Sequence, residues 1–359
     1  MRVRAAADLG ATAGRSRRRT AAAIGASAAL ALATAVLSLG TGPVPIPPDR
    51  VLAVLFGAAD PAGPARDAVV VLDVRLPRTV LAALVGAATA VAGAVMQGLF
   101  RNPLADPGII GISSGAALAA ALWIVLGTSA ASALLGDLGN LGLPVSAFLG
   151  SLAAAAAIQA IASRGGRVSV VAMLLAGIAV TGFAGALVGF LVFLSSDQQL
   201  REFTFWTLGS VGGATWPKIA LALPFTGALL VLAPLLARRL DAIALGEADA
   251  FYAGVDVEQV KRLAVLGVAA GVGASVAVAG VIGFFGLIVP HLVRLVFGPG
   301  HRLLLPVAAF AGAALLVLAD MTARTVAAPA ELPLGIVTAA IGAPLMLWLL
   351  LHRFREFAG

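Results

Sequence analysis

An all-α polytopic membrane protein of about ten transmembrane helices is the fold this sequence predicts, and three observations carry the prediction. Of its 359 residues, 60% are hydrophobic and only 11% charged, with a mean hydropathy of +1.03, whereas soluble domains carry roughly a quarter charged residues. The apolar stretches are long and continuous rather than alternating, which favours helices over a β-barrel. The 42 glycines, with abundant alanine, suit helices that approach backbone to backbone. The sequence has no cysteine, which excludes disulfides, thiolate metal sites and cysteine nucleophiles. The net charge of +7 fits the basic loops of a membrane protein better than a nucleic-acid surface, so no nucleic-acid partner is expected.

Taken in order, apolar segments fall at 21–40, 79–100, 109–127, 142–163, 168–194, 218–236, 263–284, 286–297, 303–323 and 333–351. The eighth is too short to span alone by the ~20-residue rule. Arg15, Arg17, Arg18 and Arg19 precede the first segment as in a signal peptide. The apolar run that follows is longer than the usual ~7–15 residues, so it reads as an uncleaved first helix behind a basic tail, residues 1–20. Residues 21–353 then form one ten-helix domain, with 354–359 as a C-terminal tail.

Ten crossings put both termini on one side. With the N-terminus inside, only Arg50, Arg66, Arg75, Arg78, Arg201, Lys218 and Arg324 of the 24 basic residues lie outside. That asymmetry follows the positive-inside rule. The long proline-rich loop 41–78 is then external and the charged loop 237–262 cytoplasmic. "RNPLADP" (101–107) falls between the second and third helices at the cytoplasmic end. Its prolines stop helix continuation, and Ser113 and Ser114 open a small-residue helix able to border a passage.

The spans themselves hold no Asp, Glu, Lys, Arg or His over 79–100, 109–136, 168–196, 263–290, 303–319 and 333–351. A proton-coupled carrier needs a buried carboxylate and a voltage sensor needs buried arginines. No acid, base or metal-ligand cluster is present to form a catalytic or metal site, so an enzyme is the least supported class. If a solute moves, its energy comes from elsewhere; sodium coupling through backbone carbonyls and an ATP-independent channel stay open as rivals.

Within 237–262, "LGEADAFYAGVDVEQVKR" reads either as a solvated loop or as short helices that seat in a cytoplasmic motor, with Leu245, Phe251 and Tyr252 as apolar anchors. No GxxxxGK[ST] motif occurs, so any ATPase is a separate subunit. Arg75, Arg78 and Arg324 lie at the outer ends of spans. They read either as interfacial snorkelling or as cationic sockets for acidic residues of a soluble partner. His291, in "VPHLVR", reads as structural rather than as a ligand.

Several motifs resemble the FecCD-type family of bacterial ABC importer permeases, which serves iron complexes, haem and cobalamin. They are "RLPR" (75–78), "GAVMQGLFRNPLADPGIIGISSGA" (93–116), "MLLAGIAV" (173–180), "FWTLGSVGGATW" (205–216) and "LGEADAFYAGV" (245–255). "GVIGFFGLIVPHLVRL", "HRLLLP", "LLVLADMTAR" and "ELPLGIVTAAIGAPLMLWLL" continue the match through 279–350. The resemblance covers about residues 45–353. It implies the ABC importer type II permease fold in a bacterial plasma membrane. It also implies a homodimer with two ATPase subunits below, a periplasmic-type binding protein above, and no permanently bound cofactor.

By that resemblance, Arg75, Arg78 and Arg324 dock the binding protein. Residues 245–255, including Leu245, Gly246, Glu247, Ala248, Phe251, Tyr252 and Gly254, transmit ATPase closure. Asn102 and Leu104 match a cytoplasmic gate. Ser169 matches a second gate element, although Val170 departs from the hydroxyl residue found there in the cobalamin importer. "SSDQQLREFTFWTLGSVGGATW" (195–216) looks closest to haem permeases, with ferric siderophore or cobalamin as alternative cargo. Ser113 and Ser114 would line the path, and haem propionates would meet Arg201 at its mouth.

Overall fold

The computed structural model describes residues 2–57, 65–135, 139–164 and 167–357. Helix α1 (Arg2–Gly40) is followed by α2 (Pro48–Leu55) and α3 (Ala65–Val69), which passes through a π-helical turn (Val70–Arg75) into α4 (Leu76–Leu99). A 3-10 turn (Pro107–Ile110) leads into α5 (Ile112–Leu135), and another (Gly139–Leu141) into α6 (Gly142–Ala162). The antiparallel dipeptides β1 (Ser163–Arg164) and β2 (Arg167–Val168) precede α7 (Val170–Leu194) and α8 (Asp197–Thr207). Then come α9 (Trp216–Leu245), α10 (Glu247–Tyr252), α11 (Val257–Ala279), α12 (Phe285–Phe297), α13 (His301–Ala323) and α14 (Leu334–Phe357).

Each of the ten apolar segments corresponds to one helix. Among the described residues, α1, α4, α6, α7, α9, α11 and α13 are long and apolar enough to cross a membrane, and α5, α12 and α14 contribute shorter apolar stretches. At ~1.5 Å per residue, the 13 residues of α12 reach only part of the way across a hydrocarbon core of ~30 Å.

The bundle is organised around α4, which is buried along most of its length against α13, α12, α9 and α11. Glycine makes this packing. A Cβ on Gly86 would lie 2.3 Å from the Gly312 carbonyl of α13, and one on Gly93 would lie 1.6 Å from the Gly286 carbonyl of α12. The pair Gly115 and Gly150 does the same for α5 and α6, at 2.4 Å. Lipid supplies no hydrophobic drive between helices, so close backbone approach and the dispersion contacts it allows hold them together.

Four features differ from the sequence expectation. The connection expected at 237–262 is far shorter, because α9 continues to Leu245 and α11 begins at Val257, capped by the Asp256 carboxylate on the Gln259 N–H (2.9 Å). The stretch 41–78, expected as a loop, carries α2, α3 and the π-turn. Residues 197–207, read as part of a connection, form the amphipathic helix α8, closed by a Ser196/Gln199 capping box.

The fourth is the "RNPLADP" connection, which does not stay at the end of the bundle. A side chain at Gly286 would meet both Pro107 Cδ (3.0 Å) and the Thr89 carbonyl (3.2 Å). Pro107 therefore sits beside the middle of α4, about 15 Å back from its end at ~1.5 Å per residue. Asp106 comes with it and lines a small polar cavity with Thr89, Ser113 and Ser275. Irregular backbone at this depth is tolerated because protein surrounds it. The stretches 79–100, 109–136, 263–290 and 303–319 lack ionisable groups, but this loop brings one carboxyl among them.

Candidate docking, coupling and gating sites

At one end of the bundle the three arginines at span ends converge. The π-turn and first turn of α4 carry Arg75 and Arg78, and Arg324 caps the C-terminus of α13. All three are buried, at 4%, 7% and 2% exposure. Arg78 forks onto Asp320 through Nε and Nη2 (both 2.9 Å to Oδ1) and gives Nη1 to Glu331 Oε1 (2.8 Å). Arg324 lies 3.5 Å from Asp320 Oδ2 and donates to the Ser38 carbonyl at 2.8 Å. Arg75 donates to the carbonyls of Leu39 (2.8 Å) and Val44.

The sequence reading found these arginines but not the partners that bury them. Ser38 and Leu39 end α1, Asp320 lies in the last turn of α13, and Glu331 lies just before α14, so the network staples four elements. Burial lowers the basicity of the Arg324 guanidinium; Asp320 opposes the shift and the charges of Arg78 and Arg75 add to it. One signal was legible: Asp320 stands four residues before Arg324, the spacing that places both on one helical face.

At the opposite end, Gly246 (φ +144°) breaks α9 from α10, and Gly254 (φ +81°) turns the chain back towards α11. Between them Ala250 is buried, while Leu245, Phe251 and Tyr252 are 79%, 70% and 86% exposed. The two aromatic rings meet edge to face with centroids 6.1 Å apart. Glu247 and Ala248 open α10. An aliphatic and two aromatic side chains held out of the chain's own core are the anchors that protein interfaces use.

Behind α10 lies a residue that the sequence reading counted only as loop charge. Lys261 of α11 is 3% exposed. Its Nζ donates to Glu247 Oε2 of α10 (2.8 Å), to Glu258 Oε1 (3.2 Å) and to the Val168 carbonyl of β2 (3.1 Å). Glu258 Oε2 in turn accepts the Val168 N–H at 2.6 Å. Ser169 follows directly, an exposed N-cap of α7 whose hydroxyl accepts the Ala172 N–H (3.2 Å).

Asn102 is exposed, and its Oδ1 accepts the Leu104 N–H (2.9 Å), closing a turn after Arg101, whose φ is +49°. Asn102 and Leu104 thus stand on the loop after α4, and Ser169 stands at the start of α7. Ser113 faces the Asp106 cavity, whereas Ser114 donates to Thr181 of α7 (3.0 Å). Arg201 is exposed on α8, which is tied to α5 by Gln199 Nε2 on the carbonyls of Ile124 (3.0 Å) and Val125 (3.2 Å). On α7, a Cβ at Gly182, Gly185 or Gly189 would meet nothing within 4 Å, so one face of this helix is left open. Among the described residues no three or more His, Asp or Glu side chains gather as a metal site would require.

A family model described as the FecCD transport family matches residues 18–352. The chain belongs to the FecCD transport family. This FecCD chain is 49% identical over 288 residues to the hemin transport system permease protein HmuU of Yersinia pestis, a match covering 80% of this chain and 85% of that one. It is 45% identical over 287 residues to the cobalamin import system permease protein BtuC of Halobacterium salinarum, covering 79% of this chain and 74% of the relative.

Among solved structures, a metal-chelate type ABC transporter in an inward-facing conformation matches with a TM-score of 0.77 and 31% identity, over 92% of this chain and 99% of that one. PsaBC from Streptococcus pneumoniae, at 18% identity and a TM-score of 0.52, shares the fold alone. The FecCD chain is thus a multi-pass membrane protein with the fold of an ABC importer permease.

Proposed function

We propose that this permease carries haem into the cytoplasm by alternating access, as one of two identical copies driven by two separate ATPase subunits and fed by an extracytoplasmic binding protein. The observation that carries the cargo assignment is the 49% identity to a hemin permease. A second reading, cobalamin, is favoured by the 45% identity to a cobalamin permease, and ferric siderophore stands beside it as another iron chelate. The open face of α7 supports a passage walled by two copies, with Ser113 and Ser114 along it and Arg201 at its mouth. ATP is used by the partner subunits, and the chain itself is a transport protein rather than an enzyme.

In this reading both termini, α10 and the Asn102, Leu104 and Ser169 gate elements face the cytoplasm, as the Lys/Arg distribution supports. The protein lies in a bacterial plasma membrane. Leu245, Phe251 and Tyr252 seat in the ATPase, with Gly246, Glu247, Ala248 and Gly254 shaping that contact. Arg75, Arg78 and Arg324 serve docking of the binding protein from within. The side chain of Glu331 is 43% exposed, so a partner carboxylate can replace it on Arg78 without disturbing Asp320.

The deciding experiment reconstitutes the permease with its ATPase and binding protein and follows uptake of haem, cobalamin and ferric siderophore. ATP-dependent haem uptake is expected. Preference for another cargo reassigns the substrate. Flux through the permease alone without ATP would mark a channel, and uptake driven by a sodium gradient alone would mark a secondary carrier.

A further inference from the structure

Lys261 does something that neither surface charge nor core packing explains. It is a buried ammonium whose three acceptors come from three different pieces of chain: Glu247 on α10, Glu258 one turn before it on α11, and the Val168 carbonyl of β2. Both carboxylates are partly exposed, at 41% and 30% of their side chains. Burying a lysine costs free energy unless its partners are held in place. Retaining the charge here ties α10 to the strand that leads into Ser169.

Direct contact between α10 and that strand is not needed for this tie. Glu258 Oε2 takes the Val168 N–H while Lys261 takes the Val168 carbonyl, so both polar groups of one backbone residue are gripped by α11. The ammonium's third bond reaches the first residue of α10. A displacement of α10 therefore pulls on Lys261 before it can pull on anything near Ser169. From these distances we infer that Lys261 is the positioning residue that passes movement of α10 to the β1–β2 pair and the start of α7. This rests on the reading that α10 seats in the ATPase.

The inference is tested in the full complex of permease, ATPase and binding protein. Lys261→Met severs all three bonds but leaves Glu258 on the Val168 N–H and both carboxylates within reach of water, so the fold survives. The expected result is retained ATPase subunits and retained ATP hydrolysis, with cargo moved per ATP reduced about tenfold, within the usual range of coupling between sites. Lys261→Arg, which keeps the charge and several donors, restores most of the ratio.

A second measurement follows geometry directly. The chain has no native cysteine, so Arg167→Cys and Ala253→Cys each give one label per copy, and the distance between the two copies of each label is followed in the assembled dimer. Both labels move on ATP binding in the otherwise wild-type chain, and only the Ala253→Cys label moves in Lys261→Met. Cargo per ATP within twofold of wild type in Lys261→Met, or parallel loss of hydrolysis and uptake, overturns the inference. If instead α10 is not the ATPase seat, the Ala253→Cys label is still in every version, and Phe251→Asp leaves the ATPase bound. That pattern identifies failure of the underlying reading.

Discussion

Arg78 and Asp320, 242 residues apart in the chain, meet as a buried fork in which Nε and Nη2 both lie 2.9 Å from Oδ1. With Glu331 on the remaining nitrogen at 2.8 Å, one guanidinium closes α4, α13 and the approach to α14 on one another. Replacing either member alone strips a buried charge of its nearest partner, leaving Asp320 only Arg324 at 3.5 Å or Arg78 only the partly exposed Glu331. Arg78→Ala or Asp320→Ala should destabilise the solubilised permease by about 3–5 kcal/mol, read as a lower melting temperature. The paired change Arg78→Met with Asp320→Leu should recover part of that loss, Arg324 still losing its carboxylate, which separates stapling from any other role.

Glu331 is the exchangeable member of the network. Glu331→Gln weakens its hold on Arg78 while keeping its shape, so binding-protein affinity should rise by a few fold, less than the roughly 1.5–3 kcal/mol that a charge-assisted hydrogen bond is worth. Titration of the binding protein onto the permease in lipid discs measures this. An affinity unchanged in Glu331→Gln would assign the arginines to structure alone.

The exposed rings at α10 predict a different loss. Phe251→Asp or Tyr252→Asp should weaken association with the ATPase by at least about 2 kcal/mol, the threshold of an interface hot spot. Neither change should alter melting of the permease by itself, because neither side chain is buried in it. Co-purification and thermal denaturation of the same preparations decide the matter.

Two glycines on different helices should behave oppositely. Gly93→Ala forces a methyl into the Gly286 carbonyl and should cost at least about 3 kcal/mol, the upper part of the overpacking range. Gly185→Ala fills open space and should be neutral or stabilising to folding by up to about 1 kcal/mol. Yield and melting temperature of the two variants provide the comparison.

The turn after α4 offers a fifth test. Asn102→Ala removes the acceptor that holds the Leu104 N–H, an exposed bond whose loss costs folding only about 1 kcal/mol. Cargo leak or transport rate should change while binding-protein docking stays as it was. The reverse pattern in flux and docking assays would remove Asn102 from the gate.

The ten helices were legible because each carries an unbroken apolar run, and hydropathy registers that directly. Helix ends were less so. Hydropathy marks where lipid stops, whereas α9 continues past Arg238 and Arg239 to Leu245, so the coupling connection looked longer than it is. Helix α8 was missed although its Ser196/Gln199 capping box stands in the sequence. The positions of the candidate site residues could be assigned from motifs, but their surroundings could not. Nothing local to Arg78 announces Asp320, and nothing local to Lys261 announces Val168, because those pairs exist only once distant helices pack. Asp106 was likewise hidden, since a residue between two spans reads as solvent-side until the loop is seen to fold back beside Thr89.

The contact of Gly93 with Gly286 has a kinematic consequence. Helices that touch through side chains can roll, because rotamers absorb the displacement. Helices that touch carbonyl to Cα have no such slack, and α4 is locked in this way to α12, and through Gly86 and Gly312 to α13. These three must turn as one rigid mast when the permease changes state. If the passage runs along the open face of α7 as proposed, the compliance of a transport cycle falls to that lightly packed side, and where glycine meets glycine decides which wall stays fixed.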